Sequence, residues 1–149
     1  IPRPDVMRWK YTKLLMNLRN ALQAICGLDA PGGDFARAVR NEARACYQAA
    51  GIESVPEEEM RERVQKEIKM ASIQGHPRTG GSTWQSLVRG LPSVEVDYLN
   101  GEIVLLGKLH GIPTPYNHTL QRVVNEFART GKQPGSLTVE QLQALLKEG

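Results

Sequence analysis

Three polar side chains recur on one face of the first helical segment: Lys13, Asn17 and Asn20. Spacings of four and three residues keep side chains on the same side of an α-helix, so the three form one polar stripe. A lysine ammonium beside two amides offers hydrogen-bond donors for a carbonyl oxygen and nearby hydroxyls. On its own, such a stripe is more often simply the solvent-exposed face of a helix, and Lys10 lies close to it.

Two further residues could take part in chemistry or could only serve their own helices. Ser82 follows two glycines and is placed to cap a short helix through Val88. Glu95 is a first-turn carboxylate after Ser93, where it could complement a helix dipole. The local pattern favours these structural roles for both residues.

Several common catalytic and binding motifs are absent from the sequence. No two glycines are separated by a single residue, which excludes the GxGxxG dinucleotide fingerprint, and there is no P-loop, GxSxG elbow or HExxH motif. His76, His110 and His118 lack ligand-like spacing to one another or to the cysteines, so we predict no metal site. Cys26 and Cys46 are too far apart for a CxxC site, and we interpret both as small core residues in a reducing compartment.

Length and composition fit one domain with a hydrophobic core. The chain has 149 residues, of which 40% are hydrophobic and 23% charged, with a formal net charge of +3. The longest aliphatic run, residues 103–106, is too short to span a bilayer. Lys and Arg form no basic run and few aromatic residues accompany them, so we do not expect nucleic-acid binding. Because the sequence begins with Ile1 rather than Met, we expect a piece of a longer protein.

Helix start and stop signals divide the chain into the helices that would position these side chains. Two capping-box patterns stand out, Ser54 with Glu57 and Thr138 with Gln141. The predicted helices run from Asp5 to Gly27, from Gly32 to Gly51, from Ser54, from Ser82 to Val88, from Thr114 to Gly131, and from Thr138.

Residues 94–106 carry conflicting signals. Alternating hydrophobic and polar residues flank Asn100-Gly101, which is a strong signal for a β-hairpin. The local sequence pattern slightly favours the hairpin over a helix, although an isolated hairpin in an otherwise helical chain would be poorly supported. The competing helix would place four apolar residues on one stripe, Val96, Leu99, Ile103 and Leu106.

Three sets of motifs occur in order along the chain. They are WxxxKxxxNxxNALxA at 9–24, STWQ at 82–85 followed by EVDYLNGxIV at 95–104, and GxxxGIPTPxN at 107–117. Over residues 9–124 the sequence resembles the C-terminal domain of the ketopantoate reductase (2-dehydropantoate 2-reductase) family.

The resemblance implies an all-α, multi-helix fold of the 6-phosphogluconate-dehydrogenase C-terminal type, with a long helix through residues 97–101 in place of the hairpin. It also implies a two-domain, NADPH-dependent reductase of pantothenate biosynthesis, in which an N-terminal Rossmann domain binds the dinucleotide. Residues 1–149 would then be the substrate domain alone, inactive without that partner. A 2-keto acid and the Rossmann domain are the expected partners, a homodimer is left open, and the expected location is the cytoplasm.

By motif, the resemblance implies a role for each of the five polar residues. Lys13 would be the general acid, whose ammonium stabilises the negative charge on the ketone oxygen and donates the proton. Asn17 and Asn20 would orient the carbonyl and hydroxyl groups of the substrate. Ser82 would bind the substrate carboxylate, and Glu95 would contact the ribose region of the cofactor. Gly101 and Gly107 would let another backbone or the cofactor approach closely.

Two departures separate the sequence from the family pattern. Asn20 follows Asn17 by three residues where the family usually has four, which shifts its angle on the helix. Thr79 stands at about the position of the family's amide before the serine, which leaves part of the carboxylate site open. These departures support one alternative, a non-catalytic helical interaction or dimerisation module, although the presence of Lys13, Asn17, Ser82 and Glu95 together argues against it. A weaker alternative is the same fold reducing a different 2-keto acid.

Overall fold

The computed structural model describes residues 5–70, 80–92 and 94–147. These ranges contain eight α-helices and one short 3-10 helix. No strand occurs in these ranges, and the all-α fold class is confirmed. The elements are α1 (Val6–Asn17), α2 (Arg19–Cys26), α3 (Gly33–Ala50), α4 (Glu57–Met70), α5 (Ser82–Val88), the 3-10 helix (Glu95–Tyr98), α6 (Asn100–His110), α7 (Pro115–Thr130) and α8 (Val139–Leu145).

The predicted first helix is present but divided at Leu18. This residue keeps helical dihedral angles, φ −56° and ψ −27°, and its N–H donates to the Leu14 carbonyl at 3.1 Å. Its own carbonyl accepts a hydrogen bond from the Asn100 side-chain amide at 3.4 Å. The division therefore lies between Asn17 and Asn20, where a buried amide of α6 reaches the backbone.

Most of the predicted helix ends are confirmed. As predicted, Gly51 and Gly131 end α3 and α7, with φ of +65° and +68°, and Gly111 ends α6 in the same left-handed conformation, which glycine adopts without steric cost. Thr138 and Gln141 form the predicted capping box of α8. The Gln141 N–H donates to the Thr138 hydroxyl at 3.1 Å, and the Thr138 N–H donates to the Gln141 side chain at 2.9 Å.

The predicted capping box at Ser54 is wrong. Helix α4 begins at Glu57, and the Met60 N–H donates to the Pro56 carbonyl at 3.2 Å, which puts Pro56 at the N-cap. The Glu57 carboxylate is engaged elsewhere, in ion pairs of 3.4–3.6 Å with three arginines, Arg40, Arg44 and Arg61.

The hairpin signal of Asn100-Gly101 is not realised. The chain forms the 3-10 helix, turns at Leu99 with φ −111° and ψ −89°, and continues as α6. The continuous helix that the resemblance implied is therefore interrupted at Leu99. Asn100 is fully buried inside α6 and donates to the Asn117 side-chain oxygen at 3.0 Å, so a tertiary hydrogen bond overrides the local turn preference.

A buried polar network connects α3, α6 and α7. The Glu42 carboxylate accepts hydrogen bonds from the backbone N–H groups of Tyr116 and Asn117, at 2.9 and 3.0 Å, which otherwise lack partners at the start of α7. The Asn117 amide donates to Glu42 at 2.8 Å and to the Val39 carbonyl at 3.0 Å. Burial raises the pKa of Glu42, while these donated hydrogen bonds act in the opposite direction.

The hydrophobic core takes side chains from nearly every helix. Cys46 lies in it, and Cys26 is half-buried at its edge, where burial raises the pKa of the thiol to about 11. A thiol of that pKa is a poor nucleophile at neutral pH, in keeping with a packing role. The largest fully buried apolar side chains include Leu18, Leu22, Ile25, Ile103, Leu120 and Phe127.

The two glycines expected to permit close approach do so toward other parts of this chain. A Cβ on Gly107 would lie 2.6 Å from the Ile112 carbonyl oxygen, so this glycine lets the loop after α6 fold back. A Cβ on Gly101 would lie 2.7 Å from Nε2 of Gln121. Among the helices described here, none combines the length and the apolar character needed to cross a membrane.

Candidate functional site

One cleft of about 660 Å³ is lined by all five polar residues singled out in the sequence. Lys13, Asn17 and Asn20 come from α1 and α2, Ser82 begins α5, and Glu95 begins the 3-10 helix. The volume is within the range of pockets that bind small molecules, about 300–1,000 Å³. Three segments distant in sequence therefore meet at one concave surface.

The first wall of the cleft is the polar stripe of α1 and α2. Lys13 is exposed, whereas its neighbour Thr12 is fully buried and ties α1 to the loop before α4. The Thr12 hydroxyl accepts a hydrogen bond from the Val55 N–H at 2.9 Å and donates to the Val55 carbonyl at 2.8 Å. The lysine thus extends from a helix that is anchored one residue away.

Ser82 is not the N-cap of α5, contrary to the prediction. Gly81 occupies the N-cap in an extended conformation, and no side chain caps the helix. A Cβ on Gly81 would lie 2.9 Å from Cγ and Oδ1 of Asn20, so only glycine fits between the two helices without moving that amide. Because the helix starts one residue earlier than predicted, the exposed Ser82 hydroxyl is not used in capping and lines the cleft.

The second wall of the cleft is a polar stripe on α5 that the sequence interpretation did not single out. Ser82, Gln85, Ser86 and Arg89 are spaced by three, one and three residues, which keeps them on one helix face. The opposite face carries the buried side chains Thr83 and Leu87. The same helical periodicity that revealed Lys13 and its neighbours was available for this stripe.

Glu95 stands on an element that α7 holds in place. Two residues after it, the Asp97 carboxylate accepts hydrogen bonds from the side-chain amides of Gln121 at 2.8 Å and Asn125 at 2.9 Å. Val96, between the two acids, is fully buried. The backbone that carries the exposed Glu95 side chain is therefore held in place beside the cleft by its neighbours.

A neighbouring depression of about 440 Å³ shares Lys13, Asn17 and Glu95 with the cleft and adds Lys10 and Tyr98. Tyr98 is 81% exposed, an unusually open position for a large aromatic side chain. Lys10 lines this depression but not the cleft, whereas Lys13 lines both.

The charges of the cleft suit an anion that also carries neutral polar groups. Among the described residues that line it, Lys13 and Arg89 are the two cations and Glu95 is the one carboxylate, while the other side chains are amides and hydroxyls. Within the described part of the chain, no cluster of three His, Cys, Asp or Glu side chains could hold a metal ion. His76 and Thr79 lie outside the described residues.

A second basic groove, of about 390 Å³, lies along α3 and contains four arginines. Three of them are paired with acids of the same surface, since Arg37 contacts Asp34 and the other two contact Glu57. None of the five polar residues lines this groove.

The chain matches the family model described as ketopantoate reductase PanE/ApbA C terminal over residues 5–128. It is also similar to the crystal structure of a PanE/ApbA family ketopantoate reductase from Ralstonia eutropha JMP134, with 29% sequence identity and a TM-score of 0.58. That similarity covers 83% of this chain and 41% of the other, so the chain spans less than half the length of that protein. Among curated proteins, none matches the chain in sequence.

Proposed function

The chain belongs to the family of ketopantoate reductase C-terminal domains, and on that premise we propose that it is the substrate domain of an NADPH-dependent reductase that converts 2-dehydropantoate to pantoate in pantothenate biosynthesis. The convergence of Lys13, Asn17, Asn20, Ser82 and Glu95 on one cleft carries the proposal. A merely solvated helix face would not need polar partners from two other segments.

Reduction of a ketone adds a hydride to the carbonyl carbon and a proton to its oxygen. NADPH, when bound, supplies the hydride. The Lys13 ammonium donates a hydrogen bond to the ketone oxygen, stabilises the negative charge that develops there, and transfers its proton as the O–H bond forms. Because Lys13 is exposed, the resulting neutral amine can take a new proton from solvent.

The amides and the hydroxyl position the substrate for this transfer. Asn17 and Asn20 each offer a donor and an acceptor on the same stripe as Lys13, which suits the carbonyl and hydroxyl groups of a hydroxylated 2-oxo acid. Ser82 faces them across the cleft and donates to the carboxylate end.

The residues present fit only one end of the cofactor. The Glu95 carboxylate at the rim can accept hydrogen bonds from ribose hydroxyls. The sequence has no glycine-rich GxGxxG turn for a pyrophosphate. We therefore assign the pyrophosphate and adenosine to a Rossmann domain of the full-length protein, and the shared site to the boundary between the two domains.

Oxidation of NADPH by the full-length protein, followed by absorbance at 340 nm, tests the function directly. We expect turnover with 2-dehydropantoate to exceed that with smaller 2-oxo acids such as pyruvate. Faster turnover with another 2-oxo acid would support the proposed reaction but show that 2-dehydropantoate is not the preferred substrate. Failure to reduce any of them would favour a non-catalytic interaction module.

The isolated 149-residue domain is expected to bind NADPH no tighter than about millimolar, because the family's main dinucleotide contacts lie elsewhere. Calorimetric titration measures this affinity, after far-UV circular dichroism has verified a helical spectrum. The full-length protein is the positive control. Micromolar affinity in the isolated domain would show that the cofactor site has been placed in the wrong domain.

Gly81→Ala tests the role of Asn20 without touching that residue. The backbone at Gly81, φ −74° and ψ 175°, accepts alanine, but the new Cβ would come within 2.9 Å of the Asn20 amide and displace it. We expect thermal stability to change little and KM for the 2-oxo acid to rise about 3- to 10-fold, as for the loss of one hydrogen bond.

Gly32→Ala is the matched control for this substitution, since Gly32 is also a helix N-cap and its Cβ would lie 3.2 Å from the Ala36 Cβ, outside the cleft. It should leave KM for the 2-oxo acid unchanged. An unaltered KM in Gly81→Ala as well would remove Asn20 from the binding site.

A further inference from the structure

Arg89 is the second cation of the cleft and has no part in the reaction described above. It is the residue at which α5 ends, and the turn after it is fixed by two backbone hydrogen bonds. The Gly90 N–H donates to the Leu87 carbonyl at 2.9 Å, and the Leu91 N–H donates to the Ser86 carbonyl at 3.1 Å. The backbone that carries the guanidinium is thus held in one place.

The Arg89 guanidinium has no acidic partner among the described residues. The six ion pairs found there join other arginines to Asp34, Glu53, Glu57 and Glu67, and none includes Arg89. A side chain that is exposed, cationic and unpaired at the wall of a polar cleft is available to an anionic ligand.

The direction of helical side chains points Arg89 into the stripe. In an α-helix the Cα–Cβ bonds tilt toward the N-terminus, so a side chain at the end of α5 is directed back toward the preceding turn, which contains Gln85 and Ser86. These residues and Ser82 line the cleft on α5. The guanidinium and the Ser82 hydroxyl therefore belong to the α5 wall, whereas Lys13 belongs to the α1 wall.

We propose that Arg89 binds the carboxylate of the 2-oxo acid and so selects acids over neutral ketones. The inference rests on the proposed function and extends it to the residue that determines specificity. A guanidinium stays charged at every working pH and presents parallel N–H donors that match the two oxygens of a carboxylate. Ser82 can give only one neutral hydrogen bond to the same group.

Lys13 and Arg89 take different roles because of the structure of the substrate. In a 2-oxo acid the carboxylate and the ketone are on adjacent carbons, so the group that binds the carboxylate must differ from the group that gives its proton to the ketone oxygen. Lys13 can transfer a proton to the ketone oxygen, whereas Arg89 keeps its proton and holds the carboxylate.

Arg89→Gln in the full-length protein is expected to raise KM for 2-dehydropantoate about 10- to 100-fold, as for loss of a hydrogen bond between charged groups. The kcat should stay within about 3-fold of wild type and KM for NADPH should not change, since Arg89 contacts neither the ketone nor the cofactor. Arg89→Lys should recover part of the loss, because it keeps the charge without the paired donors. Steady-state kinetics with each substrate varied in turn measures these constants.

Arg129→Gln is the matched control, because Arg129 is also exposed near the end of a helix that stops at a left-handed glycine, but outside the cleft. It should have wild-type constants. The neutral lactone of 2-dehydropantoate provides a second readout: wild type should prefer the acid, and Arg89→Gln should lose at least about 10-fold of that preference. An unchanged preference, or a rise in KM for NADPH instead, would overturn the proposal.

Binding of pantoate, measured by calorimetry without turnover, separates this inference from the proposed function. If wild type reduces no 2-oxo acid, the proposed reaction fails. Pantoate binding that is present in wild type and lost in Arg89→Gln would still support Arg89 as the carboxylate site. Equal binding by both proteins, or no binding by either, would reject it.

Discussion

Lys13→Ala in the full-length protein is expected to lower kcat by about 10²- to 10⁴-fold, the usual effect of removing a positioned acid or an oxyanion-stabilising donor. KM for NADPH should change little, because Lys13 acts at the ketone oxygen. Single-turnover reduction, followed by the loss of NADPH absorbance at 340 nm, isolates the chemical step from product release.

Two further variants distinguish the acid from a general electrostatic effect. Lys10 borders only the neighbouring depression, so Lys10→Ala should retain most of the activity. Lys13→Arg keeps the positive charge, but its guanidinium does not give up a proton usefully and has a different shape, so it should rescue little. Equal losses in the two alanine variants, or near-full activity in Lys13→Arg, would contradict the assignment of Lys13 as the acid.

The polar stripe of α1 and α2 was predictable because a helix repeats its faces at a fixed period. Periodicity placed Lys13, Asn17 and Asn20 together, but it could not show whether solvent or other protein groups faced them. That distinction depends on Ser82 and Glu95, which approach through tertiary contacts between segments far apart in sequence.

The stripe of α5 was missed for a different reason. Gly81 and the glycine before it make Ser82 look like the cap of a short helix, which assigns its hydroxyl a structural role and gives no sign of a polar face on the residues that follow. The N-cap falls one residue earlier because Gly81 must pack against Asn20, a contact that only the folded chain contains. With the cap at Gly81, four side chains up to Arg89 become one wall of the cleft.

Residues 94–106 show where local signals fail. Asn100-Gly101 is a good turn pair in an isolated peptide, and nothing nearby in sequence reveals that the Asn100 amide bonds to Asn117 and to the Leu18 carbonyl. The family resemblance supplied the helix. The interruption at Leu99 needed the structure, in which the Leu99 N–H donates to the Val96 carbonyl at 3.3 Å and the 3-10 helix ends before α6 begins.

Asn117→Leu is expected to reduce the free energy of unfolding by about 2–4 kcal/mol, since each buried polar group left without a partner costs about 1–3 kcal/mol. Leucine nearly keeps the branched shape of asparagine but removes the donors to Glu42 and Val39 and the acceptor for the Asn100 amide. The loss is a large share of a typical stability of about 5–15 kcal/mol. Urea unfolding followed by circular dichroism measures it, with the slope of the transition checked for change.

The cost depends on burial, and the same helix offers the comparison. Asn125 also donates a side-chain hydrogen bond, to the exposed Asp97 at 2.9 Å, but water can replace that contact, so Asn125→Leu should cost less than about 1 kcal/mol. The double variant, Asn100→Leu with Asn117→Leu, removes both buried amides. It should cost less than the sum of the single losses, because neither amide then remains buried without its partner. A loss in Asn117→Leu no larger than that in Asn125→Leu, or strict additivity in the double variant, would show that the network does not stabilise the junction of α3, α6 and α7.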